Sequence, residues 1–208
     1  PSVYLSGDFV EYVTVGNDHV VFFMADVSGH GASSAFVTVL MKNLTARMRS
    51  EYNRYNDVGI LHPADFLAQA NAELLGTAIG KHATLFYGVL DVQKNQLTYS
   101  VAGALPLPIL ISDGQARYLE GEGAPIGLFE QTSYQEVVLD LPNKFRFMMF
   151  SDGILEVIDQ PSLVDKERYL LDQSVDLKAD EESIFNQLNV DTVKQYPDDI
   201  ALLVIDRK

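Results

Sequence analysis

The segment His19–Val27 (HVVFFMADV) constrains this chain more than any other. It is almost wholly apolar, rich in β-branched and aromatic residues, and stops at Ser28-Gly29-His30-Gly31. A short apolar run closed by turn residues reads as a buried strand, and such a strand needs paired neighbours and a covering layer. The following residues supply the cover. From Ala32 to about Tyr52, Ala35, Phe36, Val39, Leu40, Leu44 and Met48 recur at spacings of three and four, which predicts a helix with that buried face. Pro63 opens a second helix, to about Ala78, with Phe66, Leu67, Ala70, Leu74 and Leu75 on its apolar side. Six short strands are predicted next: Ala83–Asp91, Gln96–Ala102, Pro108–Ile111, Ala116–Leu119, Tyr134–Leu139 and Phe145–Phe150. Asp113-Gly114 between two of them is a hairpin signal. Lys166–Asp172 and Asp180–Val190 read as helices, and Ile200–Ile205 as a closing buried strand. Runs of strands and runs of helices, rather than their alternation, predict an α+β fold with helices outside a sheet.

Composition limits the functions open to such a fold. The 208 residues suit a single domain over 1–208. No cysteine is present, which removes disulfides, thiolate nucleophiles and thiolate metal sites, and a reducing, cytoplasmic setting is expected. The longest clean apolar run, Val20 to Ala25, is far shorter than the ~20 residues that span a bilayer, so no membrane insertion is expected. Against 29 acidic residues stand 15 Lys and Arg, a net charge of −14, which repels nucleic acid and anionic lipid and tolerates cations.

Four acidic positions share a context. Asp8 follows Ser6-Gly7, and Asp26 closes the HVVFFMADV strand. Asp152 follows FRFMMFS and precedes Gly153, and Asp198 and Asp199 directly precede IALLVI. Each alone reads equally as an Asp-Gly turn or an Asx cap. Together, on neighbouring strands, they would converge at one rim of a sheet and repel one another unless cations screened them. Hard divalent ions, Mg²⁺ or Mn²⁺, suit such all-oxygen sites.

The segments SGDFVE, DVSGHG, GAPIGL, FSDGILE and PDDIALLV, in this order, resemble the metal-dependent protein phosphatases of the 2C superfamily, in the bacterial SpoIIE/RsbU-like serine phosphatase branch. The resemblance covers roughly residues 1–206. It implies an α-β-β-α sandwich of two antiparallel sheets flanked by helices. It also implies hydrolysis of phosphoserine or phosphothreonine on a partner protein by a hydroxide bridging two Mn²⁺ or Mg²⁺ ions. Carried over, Asp8, Asp26, Asp152 and Asp198 would be the catalytic ligands, with Asp26 bridging the ions, the Val27 carbonyl as backbone ligand and Asp199 as a second-ranked ligand. The implied partner is a regulatory phosphoprotein of the anti-sigma-factor-antagonist (STAS) type. The chain would be the catalytic piece excised from a longer multidomain signalling protein, such as the output domain of a response regulator, and a homodimer through segments outside it is in keeping. The other reading is a phosphatase-fold adaptor that docks a partner with little or no turnover.

The chain departs from the family pattern at three places. Ser6 replaces a glycine. Glu11 stands where Asp is usual and would accept from metal-bound water one methylene further out. Ala104 in AGALPLPIL replaces a histidine, removing any polar role there. His30 reads as a proton donor or phosphate contact, or else as a local turn residue. His19, His62 and His82 read as surface or structural residues, and Ser28 and Ser151 as local-turn residues. Glu156 reads as a buttress for the metal site or as an exposed salt-bridging residue. Phe22, Phe23, Phe147 and Phe150 read as core. Asn53–Pro63 and Leu155–Tyr169 read as polar, irregular loops at the rim of the site, where recognition tends to reside.

Overall fold

The computed structural model describes residues 7–176, 184, 188 and 199–207. The chain divides into two compact units, one running up to Ala104 and resuming over Gly121–Leu141, the other made of Leu105–Glu120 and the residues from Pro142 on.

The first unit is built on a five-stranded antiparallel sheet. Its strands are β1 (Phe9–Val15), β2 (His19–Val27), β3 (Ala83–Asp91), β4 (Gln96–Ala102) and β7 (Val137–Asp140), in the order β1-β2-β3-β4-β7. β2, β3 and β4 span the residues predicted for them. β1 was not predicted: FVEYVTV has apolar residues on both faces, so it lacks clean alternation. α1 (Ala32–Tyr55) and α2 (Pro63–Gly76) cover the face that carries Val21, Phe23, Ala25 and Val27. Rings stack in the middle of this core, with Phe66 4.0 Å from Tyr87 and Phe23 5.8 Å from Tyr87 between centroids. The Tyr87 hydroxyl donates to the Ile60 carbonyl at 2.9 Å, and burial pushes that phenol well above its usual range.

The buried stripe of α1 differs from the predicted one. Ser34, Val37, Met41, Leu44, Thr45 and Met48 face the core, whereas Phe36 and Val39 stand about half exposed. Two apolar stripes compete on this helix. The buried one includes hydroxyls that satisfy themselves on backbone, Thr45 on the Met41 carbonyl at 3.0 Å and Ser34 on the Gly29 carbonyl at 2.9 Å. On α2 the predicted face is buried except for the intermediate Leu75, and Asn71 joins it. The Asn71 side chain bonds the Gly127 N–H at 2.7 Å and the Phe129 carbonyl at 3.0 Å, holding the GAPIGL loop on the helix.

The second unit carries a four-stranded antiparallel sheet. Its order is β6-β5-β8-β9, from β5 (Ile109–Ser112), β6 (Gln115–Tyr118), β8 (Phe145–Phe150) and β9 (Leu202–Arg207). Asp113 (φ 50°) and Gly114 (φ 73°) form the predicted hairpin between β5 and β6 with both central residues left-handed. α3 (Gly153–Val157) and α4 (Leu163–Ser174) accompany this sheet around Met148, Phe150, Ile154, Leu155, Ile158 and Leu170. Ser162 caps α4 by accepting from the Asp165 N–H at 3.2 Å. The predicted helix over 180–190 lies outside the described residues apart from Ile184 and Leu188, which are buried and joined by a backbone bond of 3.0 Å.

Neither expected rim loop is irregular throughout. α1 runs to Tyr55 and Gly59–Leu61 is a 3₁₀ turn with Ile60 fully buried, while 155–169 holds parts of α3 and α4 with Leu155 and Ile158 in the core. Their apolar residues are few but are placed to pack, and that placement outweighs a polar average. Among the described residues, no helix is long and apolar enough to cross a membrane.

Candidate metal centre

The acids do not line one sheet as predicted. They stem from two sheets, Asp8 and Asp26 from the ends of β1 and β2, Asp152 and Asp199 from the ends of β8 and β9, because β2 and β8 lie in different sheets.

The first pair comes from strand register. β1 and β2 pair Phe9 with Ala25 and Val10 with Met24, so one step further sets Asp8 opposite Asp26 and Gly7 opposite Val27. Carboxylate oxygens of Asp8 and Asp26 lie within 4.8 Å of each other, both residues half-buried. Like charges directly opposite across a sheet are destabilising, so this register favours a cation between them. At the next rung the Val27 N–H donates to the Gly7 carbonyl at 3.3 Å. A Cβ on Gly7 would stand 2.5 Å from the Val27 carbonyl oxygen, so only glycine leaves that carbonyl its space.

The orientation of the Val27 carbonyl follows from its own peptide. The Ser28 N–H donates to the His82 carbonyl on the β3 side at 2.9 Å. In a trans peptide the C=O points opposite to the N–H, hence toward β1, Gly7 and Asp8. Two carboxylates and a carbonyl thus gather at one sheet end, all hard oxygen donors of the kind Mg²⁺ and Mn²⁺ take.

The other two acids belong to the other unit. Asp152 follows β8 at the N-cap of α3, and Asp199 precedes β9, the strand that pairs with β8. Ser151 ties the two ends: its Oγ accepts from the Ala201 N–H at 2.8 Å and donates to the Asp199 carbonyl at 3.3 Å. A Cβ on Gly153 would stand 2.2 Å from that same carbonyl, so the glycine of SDG is required for the strand ends to close up. Asp198 lies outside the described residues.

Other sequence candidates resolve simply. Glu11 is three residues beyond Asp8 and so on the opposite face of the strand, the one with Phe9, Val13 and Val15 against the core. Its Oε2 is buried and has no hydrogen-bond partner among the described residues. Ser28 is structural, its Oγ accepting from the His82 N–H at 3.2 Å. His19 and His62 lie 3.6 Å from Asp91 and Glu136 respectively. His30 is exposed in the turn before α1. Lys81, absent from the sequence candidates, donates from Nζ to the Ser28 carbonyl at 2.6 Å. No motif marks it, since its role depends on a contact 53 residues away in the chain.

Comparison with known proteins agrees with this architecture. The SiaA-PP2C domain of Pseudomonas aeruginosa superimposes with a TM-score of 0.76 at 20% identity, covering 97% of this chain and 81% of that one. The RsbU and RsbW domains of Rv1364c from Mycobacterium tuberculosis give 0.73 at 25% identity, covering 99% and 58%. The fold is therefore α+β with two antiparallel sheets, of the phosphatase 2C class. Within that class, residues 16–208 match the family described as Stage II sporulation protein E (SpoIIE), and the chain belongs to it. The curated relatives include phosphoserine phosphatase RsbP of Bacillus subtilis (strain 168), 25% identical over 153 residues, 73% of this chain and 37% of that protein. Phosphoserine phosphatase RsbU of the same organism is 24% identical over 214 residues, 100% of this chain and 61% of that protein. The chain thus spans less than two thirds of either relative.

Proposed function

We propose that this chain is the catalytic part of a Mg²⁺- or Mn²⁺-dependent phosphoserine/phosphothreonine protein phosphatase. The observation that carries this reading is the Asp8–Asp26 pair, set face to face by β1–β2 register beside a carbonyl that Gly7 leaves uncovered. Membership in the SpoIIE family and the likeness to RsbP and RsbU support it. In this proposal two ions would be held by Asp8, Asp26 and the Val27 carbonyl, together with Asp152, Asp198 and Asp199. When bound, the ions supply Lewis acidity toward water and the phosphoryl oxygens.

The chain's own residues perform the positioning. Asp8 and Asp26 are fixed by strand pairing rather than by a mobile loop, so their spacing is set before any ligand arrives. Asp152 stands at a strand-to-helix corner held by Ser151 and Gly153. No side-chain nucleophile is needed. The substrate in this reading is a phosphorylated regulatory protein of the anti-sigma-antagonist type, with the chain acting inside a longer cytoplasmic signalling protein.

The test is Mn²⁺-dependent phosphate release from p-nitrophenyl phosphate and from a serine-phosphorylated STAS-type protein. Asp26→Ala and Asp152→Ala are each expected to lower both rates on the order of 10³-fold, several kcal/mol of lost transition-state stabilisation. Unchanged rates in either variant would remove that residue from the chemistry. A wild-type chain that binds the phosphoprotein without hydrolysing either substrate would establish the adaptor reading instead.

A further inference from the structure

We propose that Lys81 is a positioning residue for the metal-binding turn, holding the Ser28–Gly29 peptide so that the Val27 carbonyl keeps its aim. The inference rests on the metal-centre reading above and concerns a residue outside the family motifs quoted for this chain.

The turn after Asp26 is soft by composition. Gly29 and Gly31 both have positive φ, 70° and 92°, where glycine is free and other residues are strained. A peptide unit beside such a glycine rotates at little cost unless something holds it. Two side chains hold the peptides on either side of Gly29. Ser34, fully buried in the first turn of α1, donates to the Gly29 carbonyl at 2.9 Å. Lys81, half-buried, donates to the Ser28 carbonyl at 2.6 Å. His82 completes the grip on Ser28 through its carbonyl at 2.9 Å and its N–H at 3.2 Å. Removing the ammonium leaves the Ser28 carbonyl only the long 3.4 Å bond from the Ser34 hydroxyl, which Ser34 shares with the Gly29 carbonyl, and so loosens a glycine-flanked peptide.

The lysine itself is firmly seated. A Cβ on Gly127 would stand 2.6 Å from the Lys81 carbonyl, and Asn71 fixes Gly127 at 2.7 Å. The neighbouring Ala83 and Ile126 exchange backbone bonds of 3.0 and 2.9 Å. A Cβ on Gly29 would stand 2.9 Å from Nζ, so the glycine also makes room for the ammonium. In a chain with 29 acidic and 15 basic residues, this lysine bonds a neutral carbonyl and is held over the turn. A charge-assisted bond of that kind is about twice as strong as a neutral one. It acts on the backbone adjoining a proposed ligand, as outer-shell partners of metal sites do.

The test is Mn²⁺ titration calorimetry of the chain without substrate, comparing wild type, Lys81→Met, Lys81→Arg and Asp26→Ala, with melting midpoints measured in EDTA. Lys81→Met keeps the aliphatic stem and loses the donor. It is expected to raise the Mn²⁺ Kd about tenfold or more, with the metal-free midpoint unchanged. Lys81→Arg, which keeps a cationic donor, is expected to recover most of the affinity. An unchanged Kd in Lys81→Met, with Asp26→Ala abolishing binding, would overturn the inference and leave the metal centre intact. So would an unchanged Kd accompanied by a raised KM on p-nitrophenyl phosphate, which would make Lys81 a substrate contact. A lowered metal-free midpoint in both lysine variants would reduce Lys81 to a structural role. A wild-type chain with no Mn²⁺ heat beyond that of Asp26→Ala would overturn the metal-centre reading and this inference with it.

Discussion

The two units each bring two acids to neighbouring strand ends, with different devices added to the strand pairing. In the first, Asp8 and Asp26 sit opposite each other because two long strands continue their register by one rung. In the second, Asp152 and Asp199 are brought to paired strand ends by a serine that bonds across them and a glycine that lets them close. The cores differ in parallel. The first stacks Phe23, Phe66 and Tyr87 under two helices of 24 and 14 residues, and the second packs mostly aliphatic residues around helices of 5 and 12. Register is robust because a slip moves every side chain to the wrong face. The corner after β8 continues its ladder too, the Ser151 N–H donating to the Ala201 carbonyl at 3.0 Å, but its approach to Asp199 adds one hydroxyl and one missing Cβ.

That contrast is broken or sharpened most strongly at the two glycines. Gly153→Ala is expected to reduce Mn²⁺-dependent turnover by about 100-fold, because its Cβ meets backbone at 2.2 Å. Gly7→Ala, whose Cβ meets a carbonyl oxygen at 2.5 Å in a long strand pair, is expected to cost nearer tenfold. Steady-state kinetics at saturating Mn²⁺ decide the order, and a larger loss at Gly7 would reverse the comparison.

Core truncation comes next. Phe66→Ala removes a fully buried ring from the aromatic stack and should cost about 3–5 kcal/mol in urea unfolding. Leu170→Ala in the second core should cost about 2–5 kcal/mol. If either variant shows two separated transitions, the units unfold independently; coincident transitions make them one cooperative body.

The smallest effect is expected at Asp91, which closes β3. Its Oδ1 accepts from the Lys94 N–H at 2.8 Å and the Gln93 N–H at 3.1 Å, and Lys94 Nζ lies 3.0 Å from Oδ2. The Lys94 backbone bond, with the Lys94 and His19 charges, holds this carboxyl below its ordinary value. A lowered folded-state pKa contributes stability above the unfolded value and loses it as pH falls through the folded one. Asp91→Ala should therefore lower the melting midpoint at pH 7 by about 2–4 °C, the shift for roughly 1 kcal/mol in a chain of this size. The gap to wild type should narrow below a pH of about 4, and a gap independent of pH would assign the effect to turn geometry.

What the sequence determined by itself is local. β2, β3, β4 and β8 could be read to the residue because each is a β-rich, largely apolar segment bounded by turn residues. The Asp113-Gly114 hairpin was legible because only certain residues tolerate two left-handed positions. The acids were legible as a set through their shared place at strand ends, and so was their resemblance to one family. Which stripe of α1 faces inward was not, because Phe36 and Val39 are as apolar as Val37 and Met41, and only the sheet beneath decides between them. Nor was the division of the acids between two sheets, since strand pairing is a property of neighbours distant in the chain. Lys81 and Asn71 were invisible for the same reason: a lone lysine or asparagine has no pattern, and each gains its role when folding brings a backbone group 53 or more residues away within hydrogen-bond reach.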